Sequence, residues 1–184
     1  MILNIYTDGA CSGNQNKKNI GGWGAILEYG EHIKNLHGGE INTTNNRMEM
    51  IAVIEALQAL NREGLAIRIF TDSAYVANCF KQNWYVNWRR NGWQTKNRKD
   101  VENKELWQKL LSLVKKHDVQ FFKVRGHVNP DHPRTDIRKH YNAFCKDNGE
   151  EFSLDEFLHV TKRNNEADAL ANQGIDTLRI DKSR

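Results

Sequence analysis

The first third of the chain alternates short apolar runs with turn residues, a pattern that predicts β-strands. The run ILNIYT (2–7) is the first of them, and Asp8 and Gly9 follow it directly. Because glycine weakens the interior of a strand, we expect this strand to end beside Asp8. The next two runs, GGWGAILEYG (21–30) and EHIKNLHGGE (31–40), meet at a Gly-Glu pair, which predicts a β-hairpin.

Helical spacing dominates the rest of the chain and alternates with two further strands. The stretch 46–61 places Met50, Ile54, Leu57 and Leu60 on one helical face. The elements predicted after it are a strand over 66–72, a short helix over 73–80, an amphipathic helix over 103–117, a strand over 119–124 and a last helix over 164–174. This order predicts an α/β fold whose five-stranded mixed sheet, three antiparallel strands and then two parallel ones, is flanked by helices.

Residues 129–165 differ in composition from the rest of the chain. Both prolines lie near the start of this stretch, and its positive and negative charges nearly cancel. Ser153, followed three residues later by Glu156, predicts a capped small helix over 153–160. The polar tail 176–184 is expected to fray. The length of 184 residues predicts a single domain over 1–184.

The formal net charge of +4 is distributed unevenly. Segment 81–104 carries seven positive and two negative side chains, so it holds +5 and the rest of the chain −1. A concentrated basic stretch favours a polyanionic partner such as nucleic acid. A solvated helix face would give the same charge run, so the charges alone leave both interpretations open.

Hydropathy and cysteine content narrow the class of protein further. No stretch approaches the roughly 20 apolar residues of a membrane helix, and the N-terminal residues include no basic leader. Three widely spaced cysteines predict reduced thiols rather than a disulfide framework. We therefore expect a cytoplasmic protein that binds no membrane, and nothing in the sequence requires more than a monomer.

Two aspartates follow strands that end alike. The sequences IYTDGA and IFTDSA each close an apolar run with Thr-Asp and a small residue, which gives Asp8 and Asp72. If the two strands are neighbours in the sheet, their carboxylates emerge together, and like charges at that distance imply a cation between them. The alternative, in which each aspartate only caps the following turn or helix, stays open for this pair.

Two more acids fit the same interpretation. Glu49 lies in the first turns of the helix opened by TTNNRMEM (43–50), where an acid also suits the helix N-terminus and where polar donors could hold a phosphate. Asp168 lies among alanines and Leu170 in NNEADALAN, so an acid there has an apolar surrounding and a functional role is favoured.

The chain resembles a type 1 ribonuclease H. The motifs that carry the resemblance are YTDGACSGN, TTNNRMEM, FTDSAYV, NWYVNWRRNGWQT, LWQKL, KVRGHV and NNEADALANQG, in the family's order and over roughly residues 1–128 and 164–175. The resemblance implies an RNase H-like fold and four metal-binding carboxylates, Asp8, Glu49, Asp72 and Asp168. His127, in RGHV, falls on the family's mobile histidine.

The resemblance also implies a reaction and a substrate. Two Mg²⁺ ions, for which Mn²⁺ can substitute, would support hydrolysis of the RNA strand of an RNA–DNA hybrid, leaving 3′-hydroxyl and 5′-phosphate ends. Segment 81–104 corresponds to the family's basic protrusion, although core packing is the favoured role for at least one of its tryptophans. The implied substrate-binding residues are Gly9, Cys11, Asn14, Thr44, Asn45, Asn46, Trp84, Trp88, Arg89, Arg90 and Lys99.

The sequence departs from the family pattern in two places. His127 and Asp168 are 41 positions apart, which implies an insertion over 129–165 beside the catalytic centre. The insertion could be a lid, a hybrid-binding surface, a docking site for a protein partner or a neutral elaboration, and its balanced charge favours the last two. A zinc site built from His132, His140, Cys145 and His159 lacks a compact ligand pair. Ala74 stands where the family often has a base-contacting glutamine.

Two other function classes remain open. A module that binds hybrid or double-stranded RNA without cutting it would not need to gather four acids near phosphate. A resolvase or integrase shares the acid cluster but would lack the tryptophan-rich basic segment and the TTNNRME motif. An RNA-cleaving enzyme is therefore the favoured hypothesis.

Overall fold

The computed structural model of the protein describes residues 1–13 and 18–184. Five strands and six helices follow one another along these residues. Their bounds are β1 Leu3–Ser12, β2 Ile20–Tyr29, β3 His32–Ile41, α1 Asn45–Gln58, β4 Ala66–Thr71, α2 Ala74–Lys81, α3 Trp84–Arg90, α4 Lys104–Val114, β5 Asp118–Lys123, α5 Ile137–Asn148 and α6 Leu154–Lys182.

The strands form one mixed sheet in the order β3-β2-β1-β4-β5. The first three strands pair antiparallel, with a tight turn joining β2 to β3, whereas β4 is parallel to both β1 and β5. This arrangement confirms the predicted sheet. The register between β1 and β4 aligns Thr7 with Thr71, so the residues that follow them lie side by side.

The first strand is longer than predicted. It passes Asp8 and Gly9 and continues to Ser12, because this stretch forms a complete antiparallel ladder with β2 that ends at the pair Ser12–Ile20. The expectation that Gly9 ends the strand was therefore wrong. A Cβ atom at Gly9 would collide with the backbone between Met48 and Glu49, so the glycine serves close packing against α1 instead.

The two helices predicted near the C-terminus are one. Helix α6 runs for 29 residues from Leu154, and its start shows the predicted capping box between Ser153 and Glu156. Gly174 does not end it, because this glycine packs against the backbone of Gly38, where a Cβ atom would not fit. Residues 176–182 of the tail that was predicted to fray continue α6 as helix, and the side chains of 176–181 are mostly exposed.

Two apolar cores lie on opposite faces of the sheet, because alternate residues of each strand point to opposite sides. One core packs α1, α2 and α4 around the buried Trp107. The other joins strand residues such as Tyr6 and Phe70 to Phe144, Phe152 and Phe157 of α5, α6 and the loop between them. Each such ring is worth about 1.5–3 kcal/mol when buried. The segment 129–165 therefore supplies the apolar cover of one sheet face.

A buried ion pair holds α6 against β2. The guanidinium of Arg163 lies 2.7 Å from Glu28, which also accepts from the Tyr6 hydroxyl at 3.2 Å and contacts His159 at 2.8 Å. Burial alone would raise the pKa of Glu28, but the hydrogen bonds and positive charges of His159 and Arg163 hold it below its ordinary value. This network anchors α6 at Arg163, five residues before Asp168.

Segment 81–104 combines a packed interior with a charged exterior. Trp84, Trp88 and Trp93 are partly buried against the core that surrounds Trp107, and the Trp88 and Trp107 ring centroids are 5.6 Å apart. The core-packing interpretation therefore applies to all three tryptophans. Arg89, Arg90 and the basic residues up to Lys99 are exposed. Among the described residues, no helix is long and apolar enough to cross a membrane.

Candidate active site

Asp8 and Asp72 are brought together by the register of β1 and β4. Asp72 directly follows Thr71, whose partner across the ladder is Thr7, so the two aspartates occupy adjacent positions on neighbouring strands. Asp72 does not cap α2, because Ser73 caps it by accepting a hydrogen bond from the Val76 amide at 3.1 Å, and Asp8 lies inside β1. The capping alternative is therefore wrong for both residues.

Glu49 joins the pair from α1. The Thr44 hydroxyl caps this helix by accepting from the Arg47 amide at 3.1 Å, and Glu49 lies in the second turn. Gly9 lets the helix backbone approach β1 closely. Carboxylate oxygens of Asp8, Glu49 and Asp72 all lie within 4.8 Å of one another, a spacing suited to a shared metal ion.

Asp168 reaches the same place from α6. Its helix crosses β2 at Gly24, the strand partner of Asp8, and a Cβ atom on Gly24 would stand only 2.5 Å from the Ala167 carbonyl. The Asp168 carboxyl lines the same cavity as the other three acids. The structure thus gathers all four predicted carboxylates from β1, α1, the end of β4 and α6.

The electrostatics of the cluster fit a cation. Burial, followed by the charge of Asp72 and hydrogen bonds from Asp168 and Asp72, raises the pKa of the Asp8 carboxyl to about 9. Burial and the charges of Asp8 and Asp72 also hold the pKa of Glu49 well above its ordinary value. Within the described part of the chain, the buried Oε2 atom of Glu49 has no hydrogen-bond partner. An unpartnered buried oxygen among mutually repelling acids fits a hard divalent cation.

His127 lies at the rim of this cluster. Its Nδ1 atom is 3.8 Å from Oδ2 of Asp168, and its side chain is 79% exposed. The backbone of His127 is left-handed, with φ of 59°. The preceding Gly126 packs against the Asp72 carboxylate, where a Cβ atom would stand 2.6 Å from Oδ2. The sequence-predicted histidine therefore borders the acids despite the long stretch that separates it from Asp168.

The predicted substrate-binding residues divide into two groups. Gly9, Cys11, Asn45 and Asn46 line a cavity of about 610 Å³ together with the four carboxylates and His127. Thr44 lies at the cap of α1, and Asn14 lies outside the described residues. The others belong to segment 81–104 and are absent from the described lining of the cavity. They are Trp84, Trp88, Arg89, Arg90 and Lys99.

Three cavity residues escaped the sequence analysis. Ser73 and Tyr75 flank Ala74 at the start of α2, and Asn172 projects from α6 one turn after Asp168. The spacing of four residues between Asp168 and Asn172 places both on one helical face and could have identified the asparagine. The zinc set is not assembled among the described residues, where the acidic trio is the sole metal-type cluster and His159 contacts Glu28 instead.

The RNase H-like fold has a mixed sheet in which two central strands carry clustered acids, and this chain has the same arrangement. The family model described as RNase H matches residues 2–145. A ribonuclease H of Syntrophomonas wolfei is 52% identical over 123 residues, which cover 67% of this chain and 82% of the relative. A ribonuclease H of Clostridium botulinum is 46% identical over 153 residues, which cover 83% and 95%.

A solved structure agrees with these relatives. LC9-RNase H1, described as a type 1 RNase H with the type 2 active-site motif, matches with a TM-score of 0.62 at 28% identity, over 85% of this chain and 80% of that one. The chain therefore belongs to the RNase H family, and its similarity to these proteins places it with the type 1 ribonucleases H. The predicted fold and enzyme class are confirmed.

Proposed function

We propose that the protein hydrolyses the RNA strand of RNA–DNA hybrids with two Mg²⁺ ions, leaving 3′-hydroxyl and 5′-phosphate ends. The observation that carries this proposal is the cluster of four carboxylates in one open cavity, with the unpartnered Glu49 oxygen at its base. Asp8, Glu49, Asp72 and Asp168 would hold the ions, and Mn²⁺ can substitute because every ligand is a carboxylate oxygen.

The chemistry divides between the ions and the protein. When bound, two divalent cations supply an activated water and stabilise the leaving oxygen of a phosphodiester. The carboxylates would hold the ions, and Asp8 and Glu49 would give up protons when the ions bind, because their pKa values are raised. His127 lies at the open rim, where its imidazole can accept or donate a proton as product leaves.

Substrate recognition is proposed for two surfaces. Gly9, Cys11, Asn45 and Asn46 line the cavity, where backbone and amide groups can contact 2′-hydroxyls of RNA. The exposed cations of segment 81–104 suit phosphate contacts that read no sequence. LC11-RNase H1, whose fold matches with a TM-score of 0.55 over 96% of this chain, was solved in complex with an RNA/DNA hybrid. We propose RNA–DNA hybrid as the substrate, and we propose that the enzyme is monomeric and cytoplasmic.

The role of segment 129–165 is proposed to be structural. Its phenylalanines are buried on the sheet, which supports elaboration of the core rather than a lid over the cavity. A protein partner would have to use the exposed polar face of α5, which carries Arg138, Lys139 and Asn142.

Cleavage of end-labelled substrates tests the function. Wild type and Asp72→Asn are compared on one RNA–DNA hybrid and on the matched duplex RNA and duplex DNA, with Mg²⁺ and with Mn²⁺. The expected result is cleavage of only the RNA strand of the hybrid, abolished by the substitution. Hybrid binding without cleavage in either metal would contradict the proposal and favour the binding module.

A further inference from the structure

Helix α6 makes a second contact with the active-site region besides Asp168. The side-chain amide of Asn165 donates a hydrogen bond from Nδ2 to the backbone carbonyl of Val128, at 2.8 Å. Val128 is the residue after His127, and it is buried. Asn165 therefore joins the catalytic helix to the loop that carries the histidine, across 37 positions of sequence.

Asn165 and Asp168 share one face of α6, because residues three apart are neighbours on a helix surface. A shift of α6 relative to the sheet would therefore move the acid and the anchor of the histidine loop together. The amide of Asn165 is half-buried, so its hydrogen bond is shielded from water on one side. This contact keeps the distance between Asp168 and the His127 loop constant.

The loop needs such an anchor. His127 has φ of 59°, a left-handed conformation that is unfavourable for a non-glycine residue and persists only where its surroundings impose it. Its imidazole gives little help, because it is mostly exposed and stands 3.8 Å from Asp168, beyond hydrogen-bond length. Gly126 against Asp72 fixes one side of the loop, and Asn165 at Val128 fixes the other.

We infer that Asn165 is a positioning residue for His127. The hydrogen bond of Asn165 holds the loop over Asp168. The position of His127 therefore does not depend on residues 129–153, which follow Val128. This inference rests on the proposed function for its catalytic consequence. The hydrogen bond itself requires a donor, so an ionised aspartate at position 165 could not replace the amide.

A double-mutant cycle with His127 tests the inference. Single-turnover cleavage of hybrid is measured for Asn165→Ala and Asn165→Asp, each alone and combined with His127→Ala. One hydrogen bond of about 1 kcal/mol corresponds to about a fivefold effect, so each Asn165 variant should lower kcat about fivefold with little change in KM. In the His127→Ala background the same substitutions should have no further effect, because there is no imidazole left to position.

Asn142→Ala is the matched control, since it removes an exposed asparagine of α5 whose side chain makes no hydrogen bond to the described residues. It should leave kcat unchanged. Thermal unfolding of every variant shows whether the fold is intact. Equal losses of kcat with and without His127 would mean that Asn165 supports α6 in general. Unchanged kcat for the Asn165 variants in the protein that retains His127 would also overturn the inference.

A measurement that does not depend on catalysis tests the positioning role of Asn165 independently of the proposed function. In protein labelled with ¹³C-histidine, the His127 resonance should shift or broaden in Asn165→Ala and stay unchanged in Asn142→Ala. If wild type cleaves no hybrid, the proposed function fails while this spectrum still decides whether Asn165 anchors the loop. If wild type cleaves and His127→Ala is equally active, the positioning role is overturned, because the histidine then contributes nothing.

Discussion

Gly24 sets the distance between α6 and the sheet. The residue pairs with Asp8 across the sheet and faces Ala167, which precedes Asp168 in α6. In Gly24→Ala the new Cβ atom would meet the Ala167 carbonyl at 2.5 Å, whereas ordinary contact begins at 3.4 Å. The helix must therefore withdraw locally by about 0.9 Å.

That displacement affects both stability and catalysis. Overpacking of a close contact costs about 1–3 kcal/mol of unfolding free energy. Moving a catalytic group by about 1 Å lowers the rate about 100-fold, and here the group that moves is the Asp168 carboxylate. We therefore expect Gly24→Ala to fold, to unfold at lower urea concentration and to cleave hybrid about 100-fold more slowly at saturating Mg²⁺.

The control is Gly64→Ala. Gly64 has φ of 74° with no atom within 4 Å of the added Cβ, so alanine there strains the backbone without displacing a neighbour. It should lower stability by about 1 kcal/mol and leave kcat unchanged. Urea unfolding and single-turnover cleavage measure both quantities. A rate for Gly24→Ala within threefold of wild type would refute the reasoning.

Three further predictions concern stability. Phe152→Ala should cost about 3–5 kcal/mol in urea unfolding without lowering kcat, because the ring is buried against Phe122 and outside the cavity; a loss of activity in the folded variant would contradict this. Arg163→Ala leaves the buried Glu28 carboxylate short of a partner and should cost about 3 kcal/mol at pH 7. Because the folded pKa of Glu28 is lowered, this loss should shrink as the pH falls through that pKa, which unfolding at several pH values checks. Asp8→Asn should stabilise the metal-free protein in EDTA. The folded-state pKa of Asp8 is raised to about 9, so the wild type loses stability as the pH rises from about 4 towards 9. A variant that is less stable than wild type at pH 8 would contradict the repulsion between Asp8 and its neighbouring acids.

Much of the fold and most of the acid cluster could be predicted because their signals are local. Short apolar runs marked all five strands, and helical spacing in 46–61 marked α1 to within a few residues. The repeated Thr-Asp at the ends of two apolar runs identified Asp8 and Asp72, and the alanine-rich context identified Asp168. These features depend on residues that are close together in the chain.

The pattern of the chain predicted the element order and the sheet type, and the four acids were predicted from that pattern together with the family resemblance. Tertiary structure decided the rest, because each remaining feature depends on atoms far apart in sequence. Pairing with β2 carried β1 past Gly9, and packing on Gly38 let α6 continue through Gly174. The packing role of residues 129–165 could be recognised only from the sheet face that their apolar side chains cover. The hydrogen bond from Asn165 to Val128 forms only once helix and loop have met, since a donor and a carbonyl 37 positions apart leave no periodic trace in the sequence.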